Sequence, residues 1–255
     1  MTDTRSAIDK AFSLLRSFSA EDASGVGVSE LARRADLSKS TAHRILAALV
    51  ENGAVERSGN VYRLGTLCYD LVSNPENEYH NTFSELLTPY LAALFEQTRH
   101  TVHLAYLYGD QVAYINKLFT TRRISSPSRI GGRAPAYCTG VGKAMLAWDQ
   151  PRAKSVVESG LHPWTPYTIT DPNEFWEELQ RIRAQGFAYD NQEITLGLSC
   201  VAAPILGQNN VPVAALSVSG ASGVFRSSDF IGPLKRVSAA ASKAVLAVQR
   251  SQSNG

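Results

Sequence analysis

Between Ser38 and Gly53 lies a stretch whose two sides have opposite chemistry. Ala42, Ile45, Leu46, Leu49 and Val50 recur at helical spacing and must be buried. Lys39, Ser40, His43, Arg44 and Ala47 fall on the other side, which is small, polar or cationic and meets no acid until Glu51. Ser38 is suited to cap the start of such a helix and Gly53 to end it. A helix that buries one side and offers short polar and cationic groups on the other can enter a DNA major groove, which is about 12 Å wide.

The flanking sequence narrows the fold. Ile8, Ala11, Phe12, Leu15 and Phe18 predict a first helix with one apolar stripe. Ser29 starts a short second helix that turns inward Leu31, Ala32 and Ala35, and Leu37-Ser38 makes a tight turn. After Gly53, Val55-Glu56-Arg57 and Val61-Tyr62-Arg63-Leu64 flank a Ser-Gly-Asn turn and read as a hairpin. Helix, turn, helix and hairpin together match a winged helix-turn-helix. From Arg33 to Arg63 six cations (Arg33, Arg34, Lys39, Arg44, Arg57, Arg63) face three acids (Asp36, Glu51, Glu56), while the whole chain carries only +2. Lys39, Ser40, Thr41, His43 and Arg44 are the expected phosphate or base contacts, with Arg57 and Asn60 serving the wing. The bland alternative is a three-helix packing module with a solvated polar side.

Beyond a link from Gly65 to Glu78 the pattern changes. A longer helix from Tyr79 to Arg99 is followed by alternating runs at 102–108 and 112–119 around Gly109-Asp110. A second hairpin pairs 201–206 with 212–219, and the last helix spans about 228–249. Asp171-Pro172-Asn173-Glu174 is a helix start and Gly186 a helix end. These elements predict an α+β unit with a mostly antiparallel sheet. We expect two domains, 1–66 and 67–255.

Composition excludes several classes. At 44% apolar and 19% charged residues, disorder and fibrous structure are excluded for most of the chain. No apolar run reaches the ~18–20 residues that cross a bilayer, and the first residues lack a secretory pattern. Three cysteines without framework spacing argue against a disulfide scaffold, so a reduced, cytoplasmic protein with no membrane partner is the expectation.

In the second unit, Gly140-Val141-Gly142 opens a helix expected over Gly142–Trp148, and helix-start N–H groups favour an anion. Ser217 and Ser219 alternate with Leu216 and Val218, so both point to one side of their strand. Cys200 lies on the neighbouring strand, and Asp190 could accept a ligand N–H or O–H. Taken singly, Cys200 is equally a small buried residue, the serines satisfied sheet residues, and Asp190 a turn residue.

The segment VSELARRADLSKSTAHRILAALVENGAVERSGNVYRLG resembles the winged helix-turn-helix of IclR-type transcriptional regulators. IGGRAPAYCTGVGKAMLA, QGFAYDNQEITLGLSCVAAPI and AALSVSG match the rest of that family in order, and together the matches cover most of residues 8–248. The resemblance implies a GAF-like effector-binding second domain. Its matching effector positions are Gly140, Val141, Asp190, Leu198, Cys200, Ser217 and Ser219, with Arg123 and Ser126 in a loop over the pocket. Arg123 departs from the apolar or polar residue common there and could pair with an effector carboxylate or face solvent. The resemblance also implies a homodimer, or a dimer of dimers, on a palindromic double-stranded DNA operator. The Gly65–Glu78 link is then the lever between effector and DNA. Tyr106, Tyr114, Phe119 and Tyr137, on or near the pocket strands, suggest an aromatic or otherwise flat acid-like effector.

Enzyme readings fit less well. TGVGKA lacks the first glycine and the final hydroxyl of a phosphate loop, since Tyr137 and Ala144 occupy those places. GLSCV has Val201 where a nucleophile elbow needs glycine. Cys138 has no oriented base in the sequence. His43, His80, His100, His103 and His162 form no metal-ligand spacing with the cysteines, and His100 and His103 straddle a helix end and a strand, which suits ordinary surface and core roles. No catalytic residue, metal or cofactor is expected. The rival classes are a small-molecule enzyme with a DNA tether and a module that binds a partner other than DNA.

Overall fold

The computed structural model describes residues 5–19, 22, 24–72, 78–120 and 128–253. The chain divides into two compact units, Met1–Tyr79 and His80–Gly255.

The first unit begins with α1 (Ala7–Arg16), whose cap is reciprocal: Ser6 Oγ accepts from the Asp9 N–H at 3.1 Å while Asp9 Oδ2 accepts from the Ser6 N–H at 3.0 Å. It continues through β1 (Val26–Gly27), α2 (Val28–Arg34), α3 (Lys39–Glu51), β2 (Val55–Ser58), β3 (Val61–Leu64) and α4 (Thr66–Val72). The strands form an antiparallel sheet in the order β1-β3-β2. Leu14, Leu31, Leu46, Val55 and Tyr62 meet in its core. The apolar stripe expected on α1 is only half right. Of its members Ala11, Leu15 and Phe18 are half-buried, whereas Ile8 and Phe12 are 68% and 56% exposed, and the fully buried Leu14 lies outside the expected stripe. Leu14, Leu15 and Phe18, toward the end of this helix and just after it, join the core that α2 and α3 build. Gly65 joins β3 to α4 where a Cβ would stand 2.2 Å from the Gly53 carbonyl oxygen, so only glycine fits.

The second unit runs α5 (Glu78–Thr98), β4 (Thr101–Tyr108), β5 (Gln111–Leu118), β6 (Arg133–Pro135), α6 (Gly140–Leu146), α7 (Gln150–Ser159), α8 (Pro172–Gln185), β7 (Ala188–Asn191), β8 (Leu198–Leu206), β9 (Pro212–Ala221) and α9 (Ile231–Ser253). The strands build one sheet in the order β6-β5-β4-β9-β8-β7, and every neighbouring pair is antiparallel. Asp171 caps α8, its Oδ1 accepting from the Glu174 N–H at 2.9 Å. The helix at 140 starts two residues earlier than expected and ends at Leu146. The strands β1, β6 and β7 have two to four residues, too few for alternation to reveal them.

The period of two sorts the sheet's side chains by size. Val102, Leu104, Val201, Ile205, Leu216 and Val218 face α5 and α9, meeting Leu87, Leu91, Leu234 and Val245. Ala105, Ala202 and Ala215 face the other way, toward Val141, Ala144 and Met145 of α6 and Phe175 and Ile182 of α8. The small side chains let α6 lie close to the sheet. Gly140 is where that approach is tightest, because a Cβ there would stand 2.6 Å from Cys200 Sγ.

Candidate functional site

Two regions carry the polar residues expected to act, one in each unit. In the first, Ser38 caps α3, its Oγ accepting from the Thr41 N–H at 3.2 Å. Ala42 and Leu46 are buried, and Ile45, Leu49 and Val50 are half-buried against the core. Lys39, Ser40, His43, Arg44 and Ala47 are exposed. Thr41 is half-buried and its hydroxyl accepts from Ser38 Oγ at 2.8 Å, so it belongs partly to the cap. Among the described residues, Lys39, His43 and Arg44 enter no ion pair, and the first turn of α3 holds no acid.

The neighbouring arginines differ. Arg34 Nη1 lies 2.6 Å from Asp22 Oδ2 and its Nε 2.8 Å from Glu30 Oε1, while Arg33 Nη2 lies 2.7 Å from the same Glu30 oxygen. Arg34 chiefly holds the Asp22 carboxyl down to about 2, and Arg33, then Arg34, hold Glu30 down to about 2. Both acids precede residue 33, so the positive excess counted from there is partly neutralised. On the wing, Gly59 and Asn60 form a two-residue loop with φ +59° at Gly59. Arg57 Nε donates to the Gly59 carbonyl at 3.0 Å, and its guanidinium lies 5.8 Å from the centre of the Tyr62 ring. Asn60 is exposed beside it.

In the second unit a cavity of about 20 Å³ lies between α6 and the sheet. It gathers Gly140, Val141, Asp190, Leu198, Cys200, Ser217 and Ser219 from four elements. Register explains the convergence: Asp190 pairs with Cys200, Cys200 with Ser219, and Ser217 with His103, so neighbouring strands set these side chains next to one another. Arg123 and Ser126 lie outside the described residues.

His103, Tyr114, Thr139 and Ile194 complete the lining. His103 was expected in an ordinary surface or core role. It is buried, and its Nδ1 stands 3.2 Å from Ser217 Oγ and 3.3 Å from Ser219 Oγ, while its Nε2 stands 2.7 Å from Ser128 Oγ. Thr139 caps α6, its Oγ1 accepting from the Gly142 N–H at 3.2 Å. Of the four aromatic residues singled out, Tyr114 lines the cavity. Tyr137 is engaged elsewhere, donating to the His162 carbonyl at 2.6 Å and accepting from Trp164 Nε1 at 2.9 Å. Tyr106 and Phe119 are not among the lining residues.

Burial governs the electrostatics. It pushes Asp190 up to about 7, helped by the charge of Glu193 and opposed by the Glu193 N–H that donates to Asp190 Oδ1 at 2.8 Å. Burial, then the Lys117 charge, pulls His103 down to about 3. Burial also pushes the Cys200 and Cys138 thiols up, away from the nucleophilic thiolate. Lys143, in the TGVGKA segment, is fully buried and bonds Glu193 Oε1, with Glu178 Oε1 at 3.5 Å. Burial disfavours its charge, but the two carboxylates outweigh that and raise its pKa. This lysine ties α6 to α8 and to the loop before β8. Its engagement there agrees with rejecting a phosphate loop.

The comparisons with known proteins cover both units. The family model described as the IclR helix-turn-helix domain matches residues 7–59, and that described as bacterial transcriptional regulator IclR C-terminal matches 80–246. The chain is 33% identical over 218 residues to the HTH-type transcriptional regulator BhcR of Paracoccus denitrificans, covering 84% of this chain and 77% of that protein. The crystal structure of the Thermotoga maritima IclR is 31% identical, with a TM-score of 0.76, over 93% of this chain and 98% of that one. An IclR homolog from Microbacterium hydrocarbonoxydans, crystallised with 4-hydroxybenzoate, superposes with a TM-score of 0.77 over 94% of this chain and 99% of that one. At 23% identity that likeness speaks for the fold alone.

Proposed function

The chain belongs to the IclR family of bacterial transcriptional regulators, and from that premise we propose that it binds a palindromic operator as a homodimer or dimer of dimers, with a small organic acid in the second unit's cavity setting its affinity for DNA. It is a DNA-binding regulator with an effector-binding C-terminal domain. The observation that carries the reading is the side of α3 where Lys39, His43 and Arg44 stand exposed and outside any ion pair among the described residues. Cations held by neighbouring acids would have to give up those partners to meet phosphates, and these do not. Ser40, Thr41, Arg57 and Asn60 complete the proposed contact set.

Two half-sites lie one or more helical turns of ~34 Å apart, so a change in the geometry of a dimer alters its fit to both. An effector acts only if it binds the DNA-competent and incompetent states unequally. The cavity, at about 20 Å³, holds about one water. A ligand of several heavy atoms has to widen it, and that widening is the step we propose to couple to DNA. Gly140, Val141, Asp190, Leu198, Cys200, Ser217 and Ser219 form the proposed effector site, with Arg123 and Ser126 as its cover. The aromatic form of the proposal rests on Tyr114.

The test is a thermal-shift screen of small organic acids, followed by fluorescence anisotropy on DNA from upstream of the chain's own gene. A ligand that binds only the native state raises its melting temperature. The expected result is one acid class that raises the melting temperature and changes DNA affinity together. Acids that bind without changing DNA affinity would remove the coupling. Binding of pyruvate-sized acids with no response to benzoates would remove the aromatic preference.

A further inference from the structure

His103 lies in a chain of hydrogen bonds that starts at a cation and ends in the cavity. Lys117 Nζ donates to the Ser128 carbonyl at 2.8 Å and lies 3.2 Å from Ser128 Oγ. Ser128 Oγ lies 2.7 Å from His103 Nε2, and His103 Nδ1 faces Ser217 Oγ at 3.2 Å and Ser219 Oγ at 3.3 Å. His103 is 4% exposed, and both serines are buried with it.

An ammonium has donors only. Ser128 Oγ accepts from it, which leaves that hydroxyl its own hydrogen to give to His103 Nε2. Burial and the nearby cation keep the ring neutral, with a single N–H. If Nε2 accepts, that hydrogen is on Nδ1, and Nδ1–H is shared between the two serine oxygens. Ser217 and Ser219 then accept from the ring, and among the described residues neither hydroxyl has a further partner for its own hydrogen.

Resting on the reading of this cavity as the effector site, we propose that His103 is a positioning residue. With Lys117 behind it, it sets the Ser217 and Ser219 hydroxyls as paired donors into the cavity, which therefore takes the end of a ligand that accepts hydrogen bonds. A carboxylate or carbonyl oxygen meets that condition and an ammonium does not. Asp190, on the far side of Cys200, does not oppose an anion while protonated, the form that burial favours.

The first test needs no ligand. Nitrogen-15 NMR of the full chain, with the His103 ring assigned through its contacts to Ser217 and Tyr114, reads which ring nitrogen carries hydrogen near pH 7. The expected result is hydrogen on Nδ1 and a bare Nε2. Hydrogen on Nε2 overturns the proposal and leaves the regulator reading intact. Lys117→Met is expected to move part of the population to the Nε2–H form, and Lys117→Arg to restore Nδ1–H. An unchanged Nδ1–H ring in Lys117→Met overturns the role given to the cation. In matched pairs of benzoate and benzylamine analogues at equal concentration, carboxylates are expected to move the His103 resonances and amines to leave them in place. An amine that moves them as far as its carboxylate overturns the acceptor rule.

Discussion

The side of α3 and the cavity beneath α6 use polar residues in opposite ways. On α3 the groups that matter are exposed and, among the described residues, outside any ion pair: Lys39, His43 and Arg44 point into solvent. In the cavity the corresponding groups are buried and already bonded, His103 to three hydroxyls and Asp190 to a backbone N–H. An exposed surface made of such groups recognises its partner by roughly additive, salt-sensitive contacts. A buried network acts as a unit, and removing one member leaves another unsatisfied. One chain thus places its proposed DNA contacts where substitution costs affinity and its proposed effector contacts where substitution also costs stability.

The largest expected effect sets one lysine against one arginine. Lys143→Ala leaves Glu193 buried without its cation and is expected to destabilise the second unit by about 3–5 kcal/mol in urea unfolding. Replacing both members, Lys143→Met with Glu193→Leu, is expected to recover most of that loss. Arg34→Ala removes solvent-screened ion pairs of the first unit and should cost far less. Equal losses would erase the contrast between the two regions.

Next comes Arg44→Ala. If the side chain reads a base, operator binding weakens by about 1–3 kcal/mol in an anisotropy titration. The melting temperature should hold, because an exposed side chain outside any network contributes within about 0.5 kcal/mol. Unchanged DNA affinity removes Arg44 from the interface.

The pH dependence of the second unit's stability sharpens the comparison further. Asp190 sits at about 7 in the fold against 3.8 ordinarily, so its contribution is present below about 3.8 and lost as pH rises through about 7. His103 sits at about 3 against 6.5, so its contribution is present above about 6.5 and lost as pH falls toward about 3. Asp190→Asn is therefore expected to gain stability over the native chain at pH 8 and nothing at pH 4. A loss at pH 8 would mean that the carboxylate is better solvated than its burial implies.

The smallest effect belongs to Lys39→Gln. A phosphate contact carries no base information, so affinity should fall about equally on all sequences and the salt slope should drop by about 1. A variant that changes sequence preference and keeps its slope would assign Lys39 to a base edge instead.

Periodicity revealed α3, because each buried residue there has a neighbour three or four positions away and each exposed one keeps to the opposite side. The same logic exposed Ser217 and Ser219 through their alternation with Leu216 and Val218. It missed His103, whose serine partner lies 114 residues away in the chain. It also missed the pairing of Lys143 with Glu193, which are 50 residues apart. Asp190, Cys200 and Gly140 were placed by family resemblance, and only strand register shows why they converge. On α1 the pattern misled, since Ile8 and Phe12 share the stripe's spacing but are exposed, while the fully buried Leu14 falls outside it.

On DNA, α3 is expected to lie along the duplex with Lys39, His43 and Arg44 toward it. A photo-crosslinking residue placed at His43, in the full chain bound to DNA from upstream of its gene, tests that directly against the same residue placed at Glu51 on the same helix. Strong cross-linking to DNA from position 43 and little from position 51 is the expected outcome. Cross-linking from 51 that equals or exceeds that from 43, or a chain that ignores DNA at low ionic strength, would mean that α3 does not face the duplex this way.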